Sequence, residues 1–179
     1  MDRGRVGRTA LLIILASESI LFVTILVAYV ALRRQVSWNV VHTLTRLAIP
    51  LGNMVLLIIS AVVAWWSINA IRQGKQSALR GGLLVTLILG LAFVAGQIYE
   101  FRHAGLNIDD QAFGGVFFTL LGFHAVHVVA GVVFLGLNLI RANLGDFSAK
   151  QHESVELGNW FWYFVTVVWV VLFVALYLL

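Results

Sequence analysis

The sequence predicts an all-α membrane protein, a single bundle of five transmembrane helices. Three observations predict this fold. The composition is 61% hydrophobic and only 11% charged, against roughly 25% charged residues in a soluble domain. The apolar residues occur in runs of roughly 20, enough to cross about 30 Å of hydrocarbon at 1.5 Å per residue. The chain has one proline, and inside lipid a helix satisfies its own backbone hydrogen bonds, so helices rather than strands are expected.

The predicted helices run over about residues 9–32, 47–71, 81–101, 113–140 and 155–179, within one domain that spans residues 1–179. The first apolar run is too long for a signal-peptide core and no small-residue cleavage site follows it, so we interpret it as a retained helix. Cysteine is absent, which excludes thiolate metal sites and disulfides. The net charge of +4 is explained by Lys and Arg in loops beside the membrane, so no nucleic-acid partner is expected.

The basic residues are divided unevenly between the two sides of the predicted bundle. One side carries eight: Arg3, Arg5, Arg8, Arg72, Lys75, Arg80, Arg141 and Lys150. The other carries four: Arg33, Arg34, Arg46 and Arg102. Because cytoplasmic loops are enriched in Lys and Arg, this predicts a cytoplasmic N-terminus and, after five spans, a C-terminus at Leu179 outside. Five tryptophans lie near predicted helix ends, as in an interfacial aromatic belt: Trp38, Trp65, Trp66, Trp160 and Trp162.

Glu18 lies about three turns into the first predicted helix, where an ionisable side chain is costly and needs a reason. One interpretation is a site for a lipid head group, a partner or a proton. The alternative is a carboxyl group hydrogen-bonded between helices, for instance with Ser17 or Ser19 nearby. The sequence leaves both open.

His124 and His127 are three residues apart on the fourth predicted helix and so share a face. A metal or haem would need further ligands from a facing helix, and no other histidine lies within a predicted span. We therefore expect these side chains to form interhelical hydrogen bonds.

Two further polar groups lie near predicted helix ends. Gln97, Tyr99 and Glu100 close the third helix and indicate an interfacial polar anchor. Glu156 opens the fifth, where a carboxylate favours the positive helix N-terminus. No phosphate-binding loop or nucleophile–base pair is present, so no catalytic residue is predicted.

Four segments, taken in order, resemble subunit III of the haem-copper oxidases. The segment 113–131, FGGVFFTLLGFHAVHVVAG, resembles a signature helix of that family, with a core of Phe117, Phe118, Gly122, Phe123, His124 and His127. Upstream, the family's order and spacing are matched by Gln97, Tyr99, Glu100, Ile108, Asp109 and Gly114. The last helix is similar to the family's closing motif through Glu156, Trp160, Trp162, Phe164, Val165, Val167, Val168 and Trp169. Near the start, the family's Ser-Glu-aromatic segment is matched by Ser17, Glu18 and Phe22.

The resemblance implies the short, five-helix bacterial form of subunit III, in a bacterial cytoplasmic membrane. It implies a complex that reduces oxygen to water and pumps protons, with haem and copper in subunits I and II and no cofactor in this chain. The implied role is non-catalytic: assembly with subunits I and II, binding of membrane phospholipid in a cleft, and proton supply to subunit I. Candidate residues for the lipid cleft or a subunit interface are Glu18, Gln97, Tyr99, Glu100, His124, His127, Glu156, Trp160, Trp162 and Trp169.

The closing motif departs from the family pattern at two positions. Tyr163 stands where the family often has His, and Thr166 where it often has Asp. An accessory subunit of a nitric oxide reductase system therefore remains an alternative. A small transporter or channel subunit is another, and it would predict broken helices near the midplane. A membrane b-type cytochrome is disfavoured because only one predicted span carries histidine.

Overall fold

The computed structural model describes residues 3–34, 48–103 and 111–178, and the described ranges are helical apart from short turns. The helices are α1 (Arg3–Arg33), α2 (Ala48–Arg72), α3 (Gln76–His103), α4 (Gln111–Leu144) and α5 (Glu153–Phe173), followed by a π-helical turn at Val174–Leu178. All five are long and apolar enough to cross a membrane. The predicted all-α, five-span fold is therefore confirmed. Residues named above that lie outside the described ranges are Trp38, Arg46, Ile108, Asp109 and Leu179.

Three of the helices, α1, α3 and α4, are longer than the apolar runs that predicted them. The third was predicted from residue 81 but begins at Gln76, and the fourth was predicted to residue 140 but continues to Leu144. A hydropathy pattern marks only the hydrocarbon-spanning part, whereas a helix can continue through the polar head-group region. The last helix was predicted to residue 179, and its final described turn, Val174–Leu178, is π-helical.

Two tight connections fold the chain into antiparallel hairpins. Gly74 between α2 and α3 and Gly145 after α4 both have positive φ, 76° and 83°, a conformation that favours glycine after a helix end. The chain's one proline, Pro50, lies in the first turn of α2, where no intrahelical hydrogen bond is lost. The helices described here run unbroken through their middle turns, unlike the discontinuous helices of many transporters.

Helix α5 lies at the centre of the bundle and helix α1 at its edge. Helix α5 packs against α2, α4 and α1, and over half of its span, 56%, is buried. Helix α1 packs mainly against α4 and α5, and only 6% of its span is buried. We call the end marked by Arg8, Arg72 and Glu156 the Glu156 end, and the opposite end, marked by Glu100 and Tyr177, the Glu100 end.

Candidate functional site

Glu18 on α1 and His127 on α4 meet inside the span. Oε2 of Glu18 lies 3.2 Å from Nε2 of His127. Nδ1 of His127 is 2.8 Å from the carbonyl oxygen of Phe123, which can only accept, so Nδ1 carries a hydrogen. The contact between Nε2 and the carboxyl group then needs one further proton, carried by either partner. Glu18 and His127 therefore form a pair that shares a single proton.

The surroundings of this pair are apolar and partly open. The ring of Phe22 meets the His127 ring edge-on at 5.2 Å between centroids. The Glu18 side chain is 28% exposed and the His127 side chain 12%. Ser17 and Ser19 donate to main-chain carbonyls of their own helix, so the suggestion that they bond Glu18 is wrong. The interhelical hydrogen bond expected of His127 is confirmed.

His124, one turn away on α4, behaves differently. It is fully buried, and neither ring nitrogen has a hydrogen-bond partner among the described residues. Its ring stacks on Trp169 of α5, with 5.2 Å between centroids, and meets Phe93 of α3 edge-on at 5.8 Å. The prediction that His124 hydrogen-bonds a neighbouring helix is therefore wrong, because its neighbours on α3 and α5 are the rings of Phe93 and Trp169.

The two histidines do not belong to a group of metal ligands among the described residues. In the described part of the chain, no three His, Asp or Glu side chains lie together as a group able to hold a metal ion. His127 contacts Glu18, and the ring of His124 packs against the rings of Trp169 and Phe93. The described residues thus offer no group of three such ligands for a metal ion.

The three tryptophans of the closing motif have different surroundings. Trp162 is fully buried, and its Nε1 donates to Oγ of Ser60 on α2 at 2.9 Å, so its assignment to an interfacial belt is wrong. Glycines make room for this ring: a Cβ at Gly131 would lie 2.8 Å from Trp162, and one at Gly90 would lie 2.7 Å from it. Trp169 is also fully buried, whereas Trp160 is 37% exposed, as a belt residue should be.

A buried polar cluster closes the Glu100 end. Nε2 of Gln97 donates to Oε2 of Glu100 at 2.9 Å, and the hydroxyl of Tyr177 donates to Oε1 of the same carboxyl group. Gln97 and Glu100 are buried, which an interfacial anchor would not be. Tyr99, in contrast, is half exposed and stacks on His103 at 4.1 Å between centroids. Of Gln97, Tyr99 and Glu100, only Tyr99 has its side chain exposed at the surface of the bundle.

Glu156 joins three elements at the opposite end. Its Oε2 lies 2.9 Å from Nη2 of Arg8 on α1, and its Oε1 lies 2.8 Å from Nη2 of Arg72 on α2. Nε2 of His152 is 3.2 Å from Oε1. Two guanidinium groups on one carboxylate leave a net positive charge, and both arginines are about half exposed. Glu156 is thus more than a helix-terminal charge: it ties α1 and α2 to α5.

The two departures in the closing motif face different environments. Thr166 is buried, and its hydroxyl donates to the carbonyl of Trp162 at 2.9 Å, so it is satisfied by its own helix. Tyr163 is half-buried. Because the donor hydrogen of Thr166 is already used, a polar contact from this position to another subunit would use the hydroxyl as an acceptor.

Sequence reasoning missed several partners. Tyr177, which bonds Glu100, and Ser60, which bonds Trp162, carry no motif in the sequence. Arg8 and Arg72 were assigned to the same side by the charge count, and that was a usable signal for their shared partner Glu156. The pairing of Glu18 with His127 had a weaker signal: two polar groups inside apolar spans need partners.

Comparison with known proteins agrees with this architecture. The family model of cytochrome c oxidase subunit III matches residues 5–179. The cytochrome c oxidase subunit 3 of Spodoptera frugiperda is 40% identical over 129 residues, covering 72% of this chain and 88% of that protein. The subunits 3 of Branchiostoma lanceolatum and Mus musculus are each 36% identical over 137 residues, covering 76% of this chain and 52% of each relative.

The chain thus spans about half the length of the lancelet and mouse relatives. The match nevertheless extends through all five helices and includes every candidate residue at both ends of the bundle. The chain is a multi-pass membrane protein that belongs to the cytochrome c oxidase subunit III family.

Proposed function

We propose that this chain is the non-catalytic third subunit of a bacterial haem-copper respiratory oxidase. In that role it assembles with subunits I and II, binds membrane phospholipid, and sustains proton supply to subunit I while oxygen is reduced and protons are pumped. The observation that carries the proposal is the family match over residues 5–179. Haem and copper then belong to the partner subunits, and the polar groups of this chain serve structure and proton exchange.

A groove between α1 and α5 supports the lipid-binding part of the proposal. It has a volume of about 220 Å³, and apart from Ser19 its lining is apolar, including Phe22, Leu26 and Phe164. Arg8 precedes Ser19 by 11 residues on α1, about 17 Å along the helix. One lipid could therefore place an acyl chain in the groove and its phosphate near Arg8 and Arg72, where the net charge around Glu156 is positive.

The Glu18–His127 pair supports the proton-supply part. The pair lies within the span, shares one proton, and remains partly exposed on the helix at the edge of the bundle. Groups of this kind inside a membrane often mark proton sites. The pair would face either the lipid or subunit I, so it could exchange a proton with groups outside this chain.

The charge distribution supports a cytoplasmic Glu156 end and an external Glu100 end. A reporter that is active only in the cytoplasm, fused at Lys150 or after Leu179, tests this orientation. We expect activity at Lys150 and none at Leu179. Activity at Leu179 would mean that the number of spans between the two sites is wrong.

The partner assignment is tested by gentle detergent purification of the tagged chain from its native membrane. We expect a much larger haem-containing subunit to co-purify in stoichiometric amount. After that subunit is stripped off, the remaining chain should show no haem Soret absorption. A stoichiometric haem that stays with the isolated chain would contradict the non-catalytic role. Recovery of the chain with a nitric oxide reductase would favour that alternative.

A further inference from the structure

Four buried side chains toward the Glu100 end carry polar atoms that have no hydrogen-bond partner in the described residues. The atoms are Nδ2 of Asn53, Oε1 of Gln97, both ring nitrogens of His124 and Nε1 of Trp169. Each of these residues is at most 3% exposed. Buried polar groups in folded proteins are nearly always paired, so each of these atoms requires an explanation.

The four groups come from four helices and lie at neighbouring levels. The rings of His124 on α4 and Trp169 on α5 are stacked at 5.2 Å, and Phe93 of α3 meets both edge-on, at 5.8 Å and 5.0 Å. Gln97 follows Phe93 by one turn of α3, and both are buried. The amide of Asn53 on α2 packs against Gly96, the residue before Gln97, so closely that a Cβ at Gly96 would clash with it.

The unpaired atoms are a mixture of donors and acceptors. Nδ2 of Asn53 and Nε1 of Trp169 can only donate, Oε1 of Gln97 can only accept, and a neutral His124 ring offers one of each. A small molecule that both donates and accepts would satisfy such a mixture, and water does so in protein interiors by making about three hydrogen bonds per molecule. An apolar ligand would leave all of these atoms unpaired.

We propose that internal water binds between His124, Trp169, Gln97 and Asn53. His124 is one turn from His127, which holds Glu18, and Gln97 already donates to Glu100. Water at this level therefore extends the polar groups of the Glu18–His127 pair toward Glu100 and Tyr177. The result is a row of hydrated polar side chains through the half of the bundle at the Glu100 end. This feature goes beyond the proposed function and does not depend on it.

Trp162 and Trp169 provide a matched pair for the test. Both are fully buried on α5, but Nε1 of Trp162 donates to Ser60 whereas that of Trp169 has no partner among the described residues. X-ray radiolysis generates hydroxyl radicals from bound water, which oxidise adjacent side chains even where bulk solvent cannot reach. The purified protein, with whatever subunits accompany it, is irradiated in ¹⁸O-labelled water and analysed by mass spectrometry.

We expect Trp169 to be oxidised several times faster than Trp162 and to acquire the labelled oxygen, with detectable modification of His124. Equal, slow rates at both tryptophans would overturn the proposal, because the site would then be dry. Equal, fast rates would overturn it too, since they would indicate general opening of the bundle. These outcomes are read on the unaltered protein and need no variant to fold.

The substitution His124→Phe sharpens the assignment. Phenylalanine keeps a ring against Trp169 but removes both ring nitrogens, so bound water loses its partner on α4. We expect the oxidation rate of Trp169 to fall toward that of Trp162. A rate that stays at the level of the unaltered protein would overturn the placement of water beside His124. Gln97→Leu removes an acceptor from the same site and serves in the same way if the His124 variant does not assemble.

Discussion

Helices α1 and α5 have similarly apolar sequences but are held in the bundle by different means. More than half of the α5 span is buried, and the large rings of Trp162 and Trp169 fill the space between α2, α3 and α4. Only 6% of the α1 span is buried. Its attachment combines two polar contacts, Arg8 to Glu156 and Glu18 to His127, with the buried rings of Phe22 and Tyr29.

The difference follows from the solvent. In lipid, apolar surface gains little by moving from acyl chains to protein, so helix association depends on close packing and interhelical hydrogen bonds. Helix α5 uses packing, with glycines on α3 and α4 that admit an indole ring. Helix α1 adds two polar contacts with α4 and α5 to the packing of Phe22 and Tyr29, and it leaves most of its surface for lipid or another subunit. Substitutions on α5 should therefore disrupt the bundle, whereas substitutions on α1 should change its attachment.

The largest effect is expected for Trp162→Ala. The change removes a fully buried ring and its bond to Ser60, leaving a cavity among four helices. By analogy with core substitutions of this size, the loss should be about 3–5 kcal/mol of stability. Thermal unfolding in detergent measures it. Trp160→Ala is the control, because Trp160 is 37% exposed and should lose far less. Equal losses at both positions would show that Trp162 is not a packing centre.

A smaller but still disruptive effect is expected for Gly131→Leu. The new Cβ would lie 2.8 Å from Trp162, so either α4 or the indole ring must shift. Such overpacking typically costs about 1–3 kcal/mol. Gly136→Leu on the same helix is the control, since beyond its own turn of helix no atom lies within 4 Å of its Cβ position. Thermal unfolding in detergent compares the two variants. A Gly131 variant as stable as the Gly136 variant would contradict the close contact between Gly131 and Trp162.

The sequence predicted the helices well because each carries its own apolar run. It predicted the partners of polar side chains poorly, because a partner lies on another helix and its identity depends on rotation about the helix axis. Trp162 shows this. Its position near a helix end suggested the membrane interface, but glycines on α3 and α4 leave room for its ring inside the bundle. His124 and His127 looked equivalent by spacing, yet one meets a carboxyl group and the other meets aromatic rings.

Glu156→Gln tests the polar attachment of α1 at the Glu156 end. The substitution removes the charge that Arg8 and Arg72 share. Because both arginines are about half exposed, each pair should contribute about 1 kcal/mol or less. We expect thermal stability to fall slightly and to become less sensitive to added salt, which screens such pairs. Asp146→Asn breaks the exposed pair with Arg141 and should have a still smaller effect. Equal effects would mean that Glu156 does not join the helices.

His127→Ala removes the mid-span contact of α1. Interhelical hydrogen bonds in membranes are typically worth about 0.6 kcal/mol and at most about 1.7 kcal/mol. We therefore expect α1 to be loosened modestly, seen as faster proteolysis of the segment after Arg33, with haem and copper unchanged in the purified complex. His103→Ala, at an exposed position, should leave proteolysis unchanged. Loss of haem or copper in the His127 variant would show that this histidine supports a metal centre.

Glu18→Gln is expected to have the smallest immediate effect and separates two roles of α1. Glutamine keeps the length of the side chain, and its amide can donate to Nε2 of a neutral His127, so the contact with α4 should survive. We expect assembly and the initial rate of oxygen consumption to stay close to normal. Because glutamine cannot take up or release the shared proton, a deficit should appear only during sustained turnover or after delipidation. An immediate, large and pH-dependent fall in oxygen consumption by a fully assembled complex would contradict this supporting role and make Glu18 an obligatory step of the proton path itself.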